Sequence, residues 1–207
     1  MSSAKHLIFI DSELSDFSSV IENLPEDSSW FKIDSLSDGI SQIEEIAQSF
    51  SDLSSIQIVS HGGAGQINIG ATTLSGDNLS QYENSLSEIG KSLSPSGDIL
   101  IYGCNVAGDD SGQKLITGIA EYTLADVAAS TDLTGPVQLG GDGDLEYHSG
   151  DISAPVINVQ GLNETLWTDS QIDSALTNTH LETKMKSYNA DDSYSYLEMR
   201  ELLETAA

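Results

Sequence analysis

A three-layer α/β fold around a mostly parallel central sheet is the architecture this sequence predicts, and three observations predict it. Short runs that are apolar on both faces recur along the chain, among them HLIFID (6–11), SIQIVS (55–60) and DILIYG (98–103). Strands of a parallel sheet covered on both sides read this way, without polar alternation. Segments of helical period lie between these runs, so strand and helix alternate. The length of 207 residues suits one sizeable core with an appendage and is short for two full domains.

In chain order, the first strand is HLIFID, and a helix follows over 16–23. FKIDSL (31–36) is the second strand, and the third, SIQIVS, is preceded by a helix over 37–50. QINIGATTLSG (66–76) alternates about a central glycine and reads as a β-hairpin inserted after the third strand. A helix over 77–93 leads to DILIYG, and another over 110–122 leads to ADVAAS (125–130). Several of these helices open on Ser or Asp, which cap the free amides of a first turn. PVQLGGDGDLEYHSGD (136–151) reads as a terminal hairpin. The division expected is an α/β domain over 1–152, then an extended connector, SAPVINVQGLNETLW, and a C-terminal helical appendage within 153–207.

Seven basic residues stand against 33 acidic ones, a formal net charge of −26, with the acids scattered along the chain. Nucleic acid and anionic membrane surfaces would be repelled, so the expected partner is a peptide or protein substrate. No apolar run approaches 18 residues, so no membrane insertion is expected, and no N-terminal signal peptide is read in MSSAKHLIFIDSEL. The single cysteine, Cys104, excludes an internal disulfide and a multi-cysteine zinc site.

The chemistry concentrates at two strand ends. His61 closes SIQIVS and Cys104 closes DILIYG. Sites in open parallel sheets form at the carboxyl ends of strands, so adjacency of these two would bring an imidazole and a thiol to one crevice. Gly62 and Gly63 allow close approach of a bound carbonyl, and Gly103 permits a sharp exit before Cys104. The backbone amides of Gly62 and Cys104 are candidates for an oxyanion hole. The bland alternative is a small buried Cys and a His bonded to nearby backbone.

A strand ending IVSHG followed 43 positions later by one ending LIYGC resembles the paired His-Gly and Gly-Cys motifs of caspase-like cysteine peptidases, the group that includes gingipains, separase and legumain. LIFIDS, DGISQI, IVSHGGAGQINIG, LIYGCNVA and DVAASTDLTG are similar, more closely, to an uncharacterised domain near the start of very large bacterial surface adhesins. The resemblance covers roughly residues 6 to 150. It implies a caspase-like fold, a His61/Cys104 dyad needing no cofactor, and a cell-surface or extracellular location within a larger bacterial protein. YGCNV departs from the caspase pentapeptide, so specificity for Asp is not carried over.

Ser130, Thr131 and Asp132 follow the fifth strand and are candidates to line the substrate pocket, where Asp132 would favour a basic residue before the cut. The competing reading makes Asp132 a turn residue and one of Asp109 and Asp110 a helix cap. Asp142, Asp144 and Glu146 alternate like calcium-loop carboxylates but lack the EF-hand spacing, so calcium is a weaker expectation. His6 and His148 are expected in or beside strands without chemistry. Three of the seven basic residues, Lys184, Lys186 and Arg200, lie in the predicted tail. They are the expected points of self-cleavage or self-occlusion. The alternative to a peptidase is an inactive caspase-like interaction module, or a calcium-stabilised structural module, of an adhesin.

Overall fold

The computed structural model describes residues 4–15 and 17–167. Strand β1 (His6–Asp11) is followed by a short helix α1 (Ser18–Glu22), β2 (Ser28–Ile33), α2 (Gly39–Ala47) and β3 (Leu53–Val59). Three short strands come next, β4 (Gly62–Gly63), β5 (Gln66–Ile69) and β6 (Thr72–Ser75). A 3-10 turn (Leu79–Tyr82) runs into α3 (Glu83–Lys91), then β7 (Leu93–Tyr102), α4 (Asp110–Thr123), β8 (Asp126–Ala129), a second 3-10 turn (Val137–Leu139) and β9 (Tyr147–His148).

The central sheet has six strands in the order β2-β1-β3-β7-β8-β9, all parallel except for β9, which runs antiparallel to β8. The expected inserted hairpin is present as β5 and β6, and β4 extends it to a three-stranded sheet of its own. Gly70 makes its turn at φ +59 and donates its amide to Asp11 Oδ2 at 2.7 Å, docking the hairpin on the carboxyl end of β1. The stretch after Ser130 departs from the sequence reading. It is a 3-10 turn and one short strand added to the edge of the main sheet, so it does not pair with itself as a hairpin.

Topology decides which face each helix covers. The chain leaves β1 toward β2 on one side, then crosses to β3, β7 and β8 in the opposite direction. Right-handed crossovers therefore put α1 on one face and α2, α3 and α4 on the other. The core divides accordingly. Ile40, Ile43, Leu86, Ile89, Leu115, Ile116 and Ile119 pack with Leu7, Phe9, Ile56, Ile58, Ile99 and Ile101. On the reverse face, Ile8, Ile10, Val59, Leu100 and Tyr102 meet Val20 of α1 and the extended residues Ile157, Val159, Leu162 and Leu166.

The stretch read from sequence as an extended connector is without regular secondary structure and turns at residues 160–161, and it serves as the missing layer over β3, β7 and β8. Its buried Ile157, Val159, Leu162 and Leu166 are each worth about 1.5–3 kcal/mol of apolar burial, together comparable to the stability of a whole domain. Polar groups on the sheet fix its path. Asp98 Oδ2 accepts from Ser153 N at 2.8 Å, Ser153 Oγ at 3.0 Å and Ala154 N at 2.8 Å. Buried Gln57 donates Nε2 to Pro155 O at 2.9 Å, and Tyr102 Oη accepts from Ile157 N at 2.9 Å. The strap thus runs along the second half of β7, from Asp98 to Tyr102 at its carboxyl end. The helical appendage expected beyond it, with Lys184, Lys186 and Arg200, lies outside the described residues.

Candidate functional site

Strand pairing brings the two candidate residues to one edge. β3 and β7 are parallel neighbours with Val59 opposite Tyr102, so His61 and Cys104 each follow two residues beyond a matched pair. Ser60 N donates to Tyr102 O at 3.0 Å, which carries the pairing into the loops. At Gly62 the steric demand comes from the facing loop. A Cβ on Gly62 would stand 2.5 Å from Val106 Cγ2 and 2.9 Å from the carbonyl carbon of Gly103, so the loops after β3 and β7 approach as only glycine allows. After Cys104 the chain turns through Asn105 in the left-handed region at φ +60, a conformation Asn tolerates.

The two amides singled out as an oxyanion hole converge on one peptide oxygen. Gly62 N donates to Leu166 O at 2.8 Å, and Cys104 N donates to the same oxygen at 3.1 Å. Both distances fall in the range of about 2.7–3.1 Å that such a cradle requires. Leu166 N donates to Thr134 O at 2.9 Å, and Trp167 bridges Gly62 in parallel register. Upstream, Glu164 Oε1 accepts from Ser15 N at 2.8 Å and Ser15 Oγ at 2.7 Å. The end of the strap therefore crosses the carboxyl ends of the sheet, held at Glu164, Leu166 and Trp167.

Cys104 is fully buried beneath this segment, in one apolar cluster with Leu166. Its Sγ accepts from Thr134 N at 3.2 Å and lies 3.5 Å from Thr134 O as a donor. Burial pushes the thiol up to about 12, so the resting chain holds it protonated. The burial named in the bland alternative is therefore present, because the strap covers the strand end. His61 is half-buried, and its Nδ1 is enclosed without a hydrogen-bond partner among the described residues.

The sequence matches the family described as a domain of unknown function, DUF4347, over residues 7–166. The chain belongs to the DUF4347 family. A comparison with curated proteins found no match. The matched span ends on Leu166, so the family's unit includes the strap and passes the boundary at 152 drawn from sequence.

Within the DUF4347 unit, the residues proposed to line a pocket serve local structure. Ser130 Oγ accepts from Asp132 N at 3.1 Å, and Thr131 N donates to Glu146 Oε2 at 2.7 Å. The exposed carboxylate of Asp132 clusters with those of Asp142 and Glu146, with oxygens within 4.8 Å of one another. Partial desolvation, then the charges of Glu146 and Asp142, raise the Asp132 pKa. Two of the three calcium candidates are thus brought together, with Asp132 in place of Asp144; exposed carboxylates gather at loop ends without a cation, so the cluster alone identifies no metal site. Asp109 is the helix cap, accepting from Gly112 N at 2.9 Å at the start of α4. His6 and His148 lie in β1 and β9. Among the described residues no helix is long and apolar enough to cross a membrane. Thr134 and Leu166 are the contacts that sequence reading passed over; TLW carries no motif, and only the path of the strap brings it to the crevice.

Proposed function

We propose that this DUF4347 domain is a cysteine endopeptidase of caspase-like type, working within a large bacterial surface protein. The observation that carries the reading is the convergence of the Gly62 and Cys104 amides on a single peptide oxygen beside the thiol-bearing residue. In this mechanism the Cys104 thiol passes its proton to His61 and the sulfur attacks the substrate carbonyl carbon. The two amides hold the negative oxygen that forms. His61 returns the proton to the leaving amine as the C–N bond breaks, and water hydrolyses the thioester. No cofactor enters these steps. The preference for a basic residue is not part of the reading, because the Asp132 charge faces Asp142 and Glu146 while the side chain at the amide cradle is the aliphatic Leu166.

A second reading has one observation in its favour. A fully buried thiol pushed up to about 12 is poorly disposed to react, which fits a caspase-like module retained for binding alone. Hydrolysis of a mixed peptide library by wild type, Cys104→Ala and His61→Ala, each first shown to melt cooperatively, separates the two. The peptidase reading expects loss of about a thousandfold or more in both variants. Equal background rates in all three would overturn the peptidase reading and leave the binding module.

A further inference from the structure

We infer that the chain's own strap is a substrate bound in cis, and that the Leu166–Trp167 peptide bond is the bond it cuts. The inference rests on the peptidase reading and names its first substrate. Every backbone polar group that a peptidase uses to position the residue before the cut is engaged by Leu166. Its carbonyl oxygen lies between Gly62 N and Cys104 N, and its amide donates to Thr134 O. Its side chain is fully buried in the apolar cluster that includes Cys104, Val59 and Tyr102. Glu164 is anchored to Ser15 two residues upstream, so the chain is fixed on the acyl side of the bond.

Packing alone does not account for this arrangement. A strap needs buried apolar side chains, and Ile157, Val159 and Leu162 supply them along β7. Placing one carbonyl between two amides from different strand-end loops is a further requirement, and it is the one that activates a carbonyl toward attack. The Nδ1 of His61, without a partner among the described residues, supplies a place for the thiol proton on the same edge.

The step balances within the chain and one water. Cys104 transfers its thiol proton to His61 and its sulfur bonds to the Leu166 carbonyl carbon. The C–N bond to Trp167 breaks, and His61 protonates the departing amine. Water then displaces the thiol, leaving a carboxylate at Leu166. Before attack the thiol must surrender its contacts with Thr134, so the reaction is slow, and because the substrate is tethered its rate is independent of protein concentration.

The test is intact-mass spectrometry of the full chain incubated in dilute and in concentrated solution, alongside hydrolysis of added peptides. The expected products are 1–166 and 167–207, formed with one first-order rate at both concentrations and absent in Cys104→Ala and His61→Ala. Trp167→Pro disfavours a helical backbone at Leu166 and replaces the scissile secondary amide with a tertiary one; because Trp167 packs against the reverse-face cluster, the variant should remain whole and still melt cooperatively, at a lower Tm than wild type. Wild type should not cut Cys104→Ala added in trans. A chain that stays whole, or is cut elsewhere, while added peptides are hydrolysed overturns this inference and leaves the peptidase reading standing. Failure to cut either, with no difference from Cys104→Ala, overturns both.

Discussion

Replacing Tyr102 by Phe tests whether the strap shields the crevice. Burial holds this phenol well above the ordinary tyrosine range, so it is neutral at any working pH and the change removes only hydrogen bonds. Phe fills the same space, and no cavity opens. Ile157 N loses the acceptor it meets at 2.9 Å, and Gln57 Oε1 loses a longer contact at 3.3 Å. One buried amide left without a partner costs about 1–3 kcal/mol, so a loss of about 2 kcal/mol is expected. For a domain of this size that is a fall of roughly 4–8 °C in Tm. Because the lost bond joins strap to sheet, local opening of the strap becomes easier by the same amount. At 1.36 kcal/mol per decade, Cys104 should then react with a thiol electrophile about 30-fold faster under native conditions. Tyr82→Phe is the control, since its hydroxyl donates to Asp38 Oδ2 at 2.8 Å, away from the strap. It should lower stability without speeding Cys104. If Tyr102→Phe lowers Tm but leaves the labelling rate unchanged, the strap is not what covers the thiol and the reasoning fails.

Asp132→Asn should raise Tm at neutral pH. The folded chain raises the Asp132 pKa, so the stability tied to its protonated form is complete below the unfolded carboxylate pKa and is lost as pH rises through the folded value. The gain from Asn should therefore shrink toward zero on acidification below about pH 4, and a pH-independent gain in a melting series would refute the assignment. Gly62→Ala places a Cβ 2.5 Å from Val106 Cγ2 and 2.9 Å from the Gly103 backbone, so destabilisation of about 1–3 kcal/mol is expected in urea titration, together with loss of any peptidase activity. Cys104→Ala leaves the buried Thr134 N without its sulfur acceptor and should cost about 1–3 kcal/mol, whereas the half-buried His61→Ala should cost under about 1 kcal/mol. Equal midpoints for the two variants would contradict that distinction.

Periodicity and chain order were enough to place most of the elements up to Ser130 and to put His61 and Cys104 at strand ends. HLIFID, SIQIVS and DILIYG are mostly apolar on both faces because a doubly covered strand must be, and their ends mark His61 and Cys104 whatever the strand order. The inserted hairpin and the Asp109 cap were legible for the same reason, since each depends on a few adjacent residues. Helix content on each face, by contrast, followed from the direction of successive crossovers, which only the strand order β2-β1-β3-β7-β8-β9 decides. That order leaves the face over β3, β7 and β8 without a helix, and VINVQGL, which has no regular pairing of its own, becomes its cover. The placement of the Leu166 oxygen between the amides of Gly62 and Cys104 joins residues far apart in sequence. Backbone hydrogen bonds of this kind carry no side-chain signature, so nothing in the local text of TLW could announce them; they exist because the strap ends where two strand-end loops leave their amides facing one point.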